Sequence, residues 1–392
     1  MKTIDRWNGI ALAAILGLWG VGCTLTSGNA SGTGGSTDGG ATTGTGGSTG
    51  SGGSTTACPA ATPTTGYMGT SGGTATTMRP CDIYAADGGP CVAAHSTVRA
   101  LYGAYNGFLY QVRKADCTVK DIGVVSPGGL ASSTDQDAFC GSGACSISLI
   151  YDQSGMGNHL IVAPVASKHP APYNEANAKS APITVSGQKV YGIHIVPGIG
   201  YRNNAPTGTA RGDNAETEYM VAGAGTFNGG CCFDYGNMET NSRDDGEGTM
   251  EAVYFGKCIT WNEGGGAGPW VMGDLENGLW AGNFSPYTDN PSVPSTYVYI
   301  TGMVKGDAPN TNHWVIKEAN AASGGLTKPF DGQRPSLLYY PMRKEGAIGL
   351  GTGGDGTSAA TGNWYEGVMT AAFSSDAADD AVQADIVSVY GQ

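Results

Sequence analysis

Short runs of alternating apolar and polar residues recur along the chain, separated by clusters of Gly, Asn, Asp and Pro. The clearest runs cover residues 146–151, 250–255 and 297–304. A repeat of two residues places successive side chains on opposite faces of a strand, and Gly and Pro clusters mark turns. Many short strands with few helices predict an all-β protein, a β-sandwich whose strands curve around a cleft.

Two segments show the spacing of an amphipathic helix instead. In residues 92–102 and just beyond, the side chains on one face are Val98, Leu101, Tyr102 and Tyr105. In residues 376–390 the repeat at i, i+4 is formed by Val382, Ile386 and Tyr390. Ser374 or Ser375 precedes this second segment in the position of an N-cap. We therefore predict helices over both segments.

The first residues of the chain form a targeting segment. Lys2 and Arg6 precede an apolar run over residues 9–19, which is too short to span a bilayer comfortably. This order is typical of a signal peptide, predicted over residues 1–22. Small residues before Cys23 resemble a bacterial lipoprotein cleavage site, although Gly20 replaces the usual bulky apolar residue. A lipid on Cys23, and ordinary cleavage nearby, both remain open.

Residues 27–57 consist almost wholly of Gly, Ser, Thr and Ala. Such a composition cannot bury apolar surface, so we predict a flexible linker over residues 23–78. The predicted globular domain then covers residues 79–392.

Composition and charge exclude several classes of function. The net charge of −13 and the pI near 4.7 disfavour nucleic acid as a partner, whereas a neutral polysaccharide is compatible with them. Ten cysteines without CxxC or Cys/His metal spacing predict disulfides and therefore export to an oxidising compartment. The five histidines are scattered, with no HExxH motif, and there is no G-x-S-x-G motif or phosphate loop. We predict no metal and no cofactor, and residues 244–247 are interpreted as a solvated acidic turn.

Carboxylates remain as candidate catalytic groups, and residues 270–280 are distinctive. Interpreted as one strand, this segment places Val271, Leu275 and Leu279 on a core face. The opposite face then carries Trp270, Met272, Asp274, Glu276 and Trp280. Acids flanked by indoles are typical of a sugar-binding cleft, in which apolar sugar faces stack on Trp. The alternative, favoured for an isolated Asp-x-Glu, is a solvent-facing strand.

Cys231 and Cys232 are adjacent, and two arrangements are open. Each can bond to a distant cysteine, which is the usual arrangement. Alternatively they bond to each other in a strained eight-membered ring, a costly feature that indicates a functional contact.

Taken together, these segments resemble the catalytic domain of glycoside hydrolase family fifty-four, the α-L-arabinofuranosidases. The resemblance runs from about Cys81 to the end of the chain. The matching segments are PCDIYA (80–85), CVAAHS (91–96), IYDQSG (150–155), GYRNN (200–204), CCFDYGN (231–237), DLENGL (274–279), NAASG (320–324), GGD (353–355) and YEGVM (365–369). So many matches in the same order are specific, although no single one would be.

The resemblance implies a concanavalin-like β-sandwich and an exo-acting, retaining glycosidase acting on terminal arabinofuranose of arabinan or arabinoxylan. It makes Glu276 the nucleophile and Asp355 the general acid/base. The groups that it implies around the sugar are Asp274, Asn277, Trp261, the Gly354 backbone and a Cys231–Cys232 disulfide. Retention requires two carboxyl groups about 5–5.5 Å apart, one ionised and one protonated. Glu366 is a competing acid, interpreted as structural because it lies in an alternating strand.

The resemblance also implies Cys81–Cys91 and Cys140–Cys145 disulfides, and it leaves Cys58, Cys117 and Cys258 without assigned partners. Fungal members of the family carry a C-terminal arabinose-binding β-trefoil, which this sequence lacks, so we expect no polymer targeting by that route. Two rival functions remain. One is a non-catalytic concanavalin-like sugar-binding surface protein, and the other is a structural surface protein. Neither requires both Glu276 and Asp355.

Overall fold

A computed structural model of the chain describes residues 58–64 and 77–392. The predicted signal peptide, Cys23 and most of the predicted linker lie outside the described residues. Of the helices formed by residues 77–392, none is long and apolar enough to cross a membrane. Within that range the α-helices are α1 Pro80–Ala86, α2 Ser133–Cys140 and α3 Asp376–Tyr390, with a 3-10 turn at Leu337–Tyr339.

Strands make up most of the regular structure. In chain order they are β1 Cys91–Ser96, β2 Phe108–Lys114, β3 Val119–Gly123, β4 Cys145–Ile150, β5 Leu160–Val162, β6 Ala176–Asn177, β7 Pro182–Val185, β8 Gln188–Tyr191, β9 Ile193–Ile195, β10 Tyr201–Asn203, β11 Glu216–Phe227, β12 Asp234–Met238, β13 Glu251–Gly256, β14 Trp270–Asp274, β15 Leu279–Trp280, β16 Tyr299–Gly306, β17 His313–Asn320, β18 Thr327–Gln333, β19 Ala347–Leu350 and β20 Gly362–Thr370.

These strands form two large antiparallel sheets. The first has the order β1-β20-β11-β16-β17-β18, with β9 beside β20. The second has the order β15-β14-β13-β12-β19-β10-β5-β4-β2-β3, with β6 beside β4. Strands β7 and β8 form a separate hairpin. The inner faces of the two sheets enclose one hydrophobic core, which includes Val253, Val271, Trp314 and Trp364. The predicted β-sandwich is confirmed.

The three clearest predicted strands correspond to β4, β13 and β16, each within two residues at either end. The predicted C-terminal helix is α3, and its N-cap is Ser375, whose hydroxyl accepts a hydrogen bond from the Ala378 N–H at 3.2 Å. Buried apolar residues of α3 pack onto the core through Val382 and Ile386. These elements follow the hydrophobic pattern because each has one buried face.

The helix predicted over residues 92–102 is wrong. Residues Cys91–Ser96 form β1, which pairs with β20 and is buried at every position. The chain then turns through residues 97–105, where Val98, Leu101 and Tyr105 are buried in the same core. A short apolar run that is buried on both faces has no period of its own, so spacing alone does not distinguish strand from helix.

Four disulfides cross-link the described residues. They are Cys58–Cys117, Cys81–Cys91, Cys140–Cys145 and Cys231–Cys232. Cys58 and Cys117 are thereby partners, and Cys258 is a buried thiol.

Residues 58–64 contact the sandwich, although they fall within the predicted linker. Besides the Cys58–Cys117 disulfide, Arg113 Nη1 donates a hydrogen bond to the Pro59 carbonyl at 2.9 Å. The Thr64 N–H donates to the Tyr151 hydroxyl at 3.2 Å. This short stretch is therefore attached to the domain.

Candidate active site

The outer face of the second sheet presents a row of acids. In β12, Asp234 lies opposite Tyr254 of β13, and in β14, Asp274 lies opposite Ala252 of β13. Directly opposed residues of antiparallel strands project to the same face. Asp234 and Asp274 therefore share one face, and the opposite face of these strands, with Val253 and Val271, belongs to the core.

The single strand predicted over residues 270–280 is wrong, although its first half is correct. Strand β14 ends at Asp274, the chain reverses, and β15 pairs back, with Leu279 opposite Asp274 and Trp280 opposite Gly273. Leu279 therefore joins the acid-bearing face, and Trp280 packs on the core side. The reversal occurs because Glu276 and Asn277 have left-handed φ values of 60° and 55°.

A pocket of about 320 Å³ opens at this hairpin. Its lining consists of Cys232, Trp261, Asp274, Glu276, Asn277, Gly278, Gly353, Asp355 and Thr357. Six of the eight predicted site residues thus line one pocket. Cys231 lies buried behind Cys232, and Gly354 lies within the lining loop while its neighbour Gly353 forms the surface.

Hydrogen bonds fix the hairpin that carries Glu276. The Glu276 N–H donates to Asp274 Oδ1 at 3.1 Å, so the two side chains leave the same turn toward the pocket. The Asn277 amide donates to Asp244 Oδ1 at 3.0 Å, and the Tyr339 hydroxyl donates to the Asn277 carbonyl at 3.2 Å. Asp244 belongs to the segment interpreted as an acidic turn, and it anchors the pocket wall.

The loop after β19 carries Asp355. Its Oδ1 accepts a hydrogen bond from the Thr357 N–H at 2.7 Å, and its carbonyl accepts from the Lys168 N–H at 3.0 Å. Arg202 Nη1 donates to the carbonyls of Gly353 and Gly354 at 3.0 and 2.8 Å. A buried guanidinium thus holds the loop from behind and leaves the half-buried Asp355 carboxyl facing the pocket.

The Cys231–Cys232 disulfide lies beside Asp274. The two sulfurs and a carboxylate oxygen of Asp274 lie within 4.8 Å of one another, the spacing of a possible metal site. Because the sulfurs are bonded together, they are not thiolate ligands. The pair acts as an apolar wall of the pocket, in contact with the cluster that includes Tyr254 and Trp270.

Burial makes the carboxyls of the site reluctant to ionise. It raises the pKa of Glu276 well above the usual range, and the charges of Glu239, Asp274 and Asp355 add to the shift. Burial also raises the pKa of Asp274 to about 7, against the opposing hydrogen bond from the Glu276 N–H. Burial is also the main reason that the pKa of Glu239 is raised to about 7. Close carboxyl pairs of this kind titrate together, with one proton shared at neutral pH.

Glu366, the competing acid, lies elsewhere. Its two oxygens accept hydrogen bonds from Nη2 and Nε of the buried Arg99, both at 2.7 Å. The hydroxyls of Tyr390 and Tyr219 complete its partners at 3.0 and 3.2 Å. This network joins β20 to α3 on the other sheet, and Glu366 is outside the pocket lining.

The sequence alone indicates no role for several residues that shape the site. They are Asp234, Glu239, Arg202, Asp244, Thr357 and Tyr339. Asp234 and Arg202 were inside the matching segments, which was the available signal. The others come from distant parts of the chain, and only the strand order brings them together.

The chain is similar to known proteins in both sequence and structure. Residues 80–391 match the family described as "Alpha-L-arabinofuranosidase B, catalytic". The probable alpha-L-arabinofuranosidase B of Aspergillus clavatus is 54% identical over 316 residues, which cover 79% of this chain and 62% of that protein. The alpha-L-arabinofuranosidase B of Aspergillus oryzae is 52% identical, with the same coverage. The chain thus spans about 62% of the length of these curated relatives.

Solved structures agree. A family fifty-four α-L-arabinofuranosidase soaked with a cyclic sulfate inhibitor is 48% identical, with a TM-score of 0.76 over 79% of this chain and 65% of that one. An arabinofuranosidase complexed with arabinofuranosyl-α-1,2-xylobiose has the same identity, TM-score and coverage. With its sandwich, acid-lined pocket and these matches, the chain belongs to the family of the alpha-L-arabinofuranosidase B catalytic domain.

Proposed function

We propose that this protein is an exo-acting, retaining α-L-arabinofuranosidase that releases terminal arabinofuranose from arabinan- or arabinoxylan-type polysaccharides. One observation carries the proposal. Two carboxyl side chains from separate loops, Glu276 and Asp355, line one small pocket with an exposed indole, Trp261. Membership of the arabinofuranosidase family, and the arabinofuranosyl-xylobiose bound to a relative, support the substrate class.

Glu276 is the proposed nucleophile and Asp355 the proposed general acid/base. Asp355 protonates the departing glycosidic oxygen while Glu276 attacks the anomeric carbon, and a covalent glycosyl-enzyme forms. Asp355 then removes a proton from the water that releases the sugar. Attack requires an ionised Glu276, so the proton shared with Glu239 must lie on Glu239 in the reactive state.

The remaining pocket residues position the sugar. Asp274 and Asn277 offer a carboxylate and an amide to sugar hydroxyls, and Trp261, 40% exposed, offers an indole face. The Cys231–Cys232 disulfide and the loop that contains Gly354 form further parts of the pocket wall. The small pocket holds the terminal sugar, and a groove that includes Lys168 and Asp244, which contact Asp355 and Asn277, leaves room for the rest of the polymer.

We also propose that the protein is exported and that Cys23 is lipidated. The disulfides support an oxidising compartment, since such bonds persist there. Mass spectrometry of the mature N-terminus tests the lipid, and an unmodified or absent Cys23 would contradict it. A Cys23→Ala variant recovered in the membrane fraction as fully as the wild type would contradict it as well.

Turnover of 4-nitrophenyl α-L-arabinofuranoside tests the function. We expect hydrolysis with retained anomeric configuration by NMR, and a loss of several orders of magnitude in Glu276→Gln. Glu263→Gln is the control, because Glu263 is a half-exposed neighbour of Trp261 outside the lining. Binding of arabinosides without turnover would favour the sugar-binding protein instead, and an inverted product would contradict the mechanism.

A further inference from the structure

Asp234 is a buried acid with no role in the mechanism above. It begins β12, two residues after the Cys231–Cys232 disulfide, and its side chain is fully buried. Its carboxyl lies on the same face of the sheet as the Asp274 carboxyl, close enough for the two groups to interact electrostatically. Asp234 is therefore a buried neighbour of Asp274, which lines the pocket.

Neither carboxyl oxygen of Asp234 receives a hydrogen bond from an N–H or O–H group in residues 58–64 and 77–392. The titratable groups that face it are the carboxyls of Asp274 and Asp355, the Cys258 thiol and the Tyr254 hydroxyl. Those that face Asp274 are the carboxyls of Asp234, Glu239, Glu276 and Asp355 and the hydroxyls of Tyr254 and Tyr339. None of these groups is a cation. Two buried carboxylates in contact without a cation or a donor between them are strongly disfavoured, so the pair holds a proton.

The surroundings decide which of the two carries it. Asp274 Oδ1 accepts the Glu276 N–H at 3.1 Å, and Asp274 reaches the pocket surface. Both features stabilise the ionised form. Asp234 has neither a donor nor access to the pocket, and burial raises its pKa well above the usual range.

We propose that Asp234 is a protonated positioning residue that donates its hydrogen bond to the Asp274 carboxylate. This bond keeps Asp274 ionised and fixes its orientation, so that it accepts hydroxyl groups of the bound sugar and holds the turn that carries Glu276. The inference rests on the proposed function in one respect, the sugar contact of Asp274. Asp234 itself touches no substrate.

Two variants separate the hydrogen bond from the charge. Asp234→Asn keeps a donor of the same shape, and Asp234→Leu has similar size and no donor. We expect Asp234→Asn to stay within about 3-fold of the wild type, and Asp234→Leu to lose about 10- to 100-fold in kcat/KM, mainly through KM. Glu318→Gln and Glu318→Leu are matched controls, because Glu318 is a buried carboxyl outside the pocket lining.

The pH profile gives a signature that a purely structural role does not. Loss of the donor raises the pKa of Asp274, so the acidic limb of kcat/KM should move to higher pH in Asp234→Leu and stay in place in Asp234→Asn. If Asp234 were ionised, removing its charge would move the limb to lower pH in both variants, which would overturn the proposal. Equal behaviour of Asp234→Leu and Glu318→Leu would also overturn it.

An infrared difference spectrum supplies a readout that needs no activity and no Leu variant. Wild type minus Asp234→Asn at pH 7 should show the band of a protonated carboxyl, and a carboxylate band would refute the assignment. The two proposals fail differently. A wild type that does not hydrolyse arabinosides contradicts the function, whereas an active wild type with an ionised Asp234 contradicts only this inference.

Discussion

Glu276 and Asn277 adopt the left-handed conformation one after the other, with φ values of 60° and 55°. For residues other than glycine this conformation costs on the order of 1–3 kcal/mol each. The turn aims both side chains at the pocket, and its hydrogen bonds to Asp274, Asp244 and Tyr339 hold it in place. The strained backbone thus lies at the turn that directs the candidate nucleophile into the pocket.

Asp355→Ala should lose more activity on a substrate whose leaving group is poorer. Proton donation contributes about 10²–10⁴-fold, and it matters most for a poor leaving group such as a sugar hydroxyl. We expect near-total loss on arabinan and a much smaller loss on a dinitrophenyl arabinoside, measured as kcat/KM on both substrates. Asp289→Ala, an exposed acid outside the pocket lining, is the control.

Added azide should accelerate Asp355→Ala and give the arabinosyl azide of retained configuration, because an anion needs no general base. Equal losses on both substrates without azide rescue would contradict the role of Asp355.

Gly354 has a steric reason to be glycine. A Cβ there would lie 1.5 Å from Glu239 Oε2, and Glu239 is buried with its other oxygen bonded to Thr249 at 2.5 Å. Gly354→Ala should therefore displace Glu239 or the Asp355 loop and lower kcat/KM by about 10-fold or more. Gly325→Ala is the matched control, because a Cβ at that position meets nothing within 4 Å. Equal kinetics of the two variants would refute this packing.

At the scale of elements, the sequence pattern identifies β14 and α3. It does not identify the hairpin between β14 and β15, which carries Glu276. Alternation over residues 270–274 gives the correct faces, since one face is core and the other is not. The turn that follows carries a signal in Asn277-Gly278, since Asn is enriched in left-handed positions, but Glu276 is not a turn residue and the alternation of residues 270–280 conceals the turn. Alternation over residues 270–280 therefore places Leu279 and Trp280 on the wrong faces.

Buried acids in strands also make stability depend on pH, as Glu318 in β17 illustrates. Burial raises its pKa to about 7, above that of the unfolded chain. The folded state then binds more protons than the unfolded state between about pH 4 and pH 7, so its contribution to the free energy of unfolding falls as pH rises through this window.

Glu318→Gln removes that titration. The variant should be more stable than the wild type by about 1–3 kcal/mol at pH 8 and indistinguishable from it at pH 4, by urea unfolding. A variant that is less stable at pH 8 would show that the carboxylate is stabilised where it lies.

At the scale of the whole molecule, the site depends on sheet order. Asp234, Asp274 and the Glu276 turn meet because β12, β13 and β14 are neighbours, and Arg202 reaches the Asp355 loop because β10 adjoins β19. A single sequence specifies strands through local patterns but not which strands adjoin. The family resemblance identifies most residues that line the pocket. The residues that pack behind the lining are identified only by the structure.

The Cys58–Cys117 disulfide joins the segment before the domain to β2 and β3 across 59 residues. Closing so long a loop restricts the unfolded chain, so the double variant Cys58→Ser/Cys117→Ser should lose about 2–4 kcal/mol of unfolding free energy. The pocket lies elsewhere, and kcat/KM should not change. A protein that begins at Arg79 should likewise keep its turnover. A large loss of activity with an intact fold would mean that this segment contributes to the site.

The most direct test of the account is the covalent intermediate itself. In Asp355→Ala, a dinitrophenyl arabinoside should still arabinosylate the enzyme, and release of the sugar should be slow without the general base. Mass spectrometry of the digested protein should find one arabinosyl group on the peptide that contains Glu276. No labelled peptide, or a label on another residue, would contradict the assignment of Glu276 as the nucleophile.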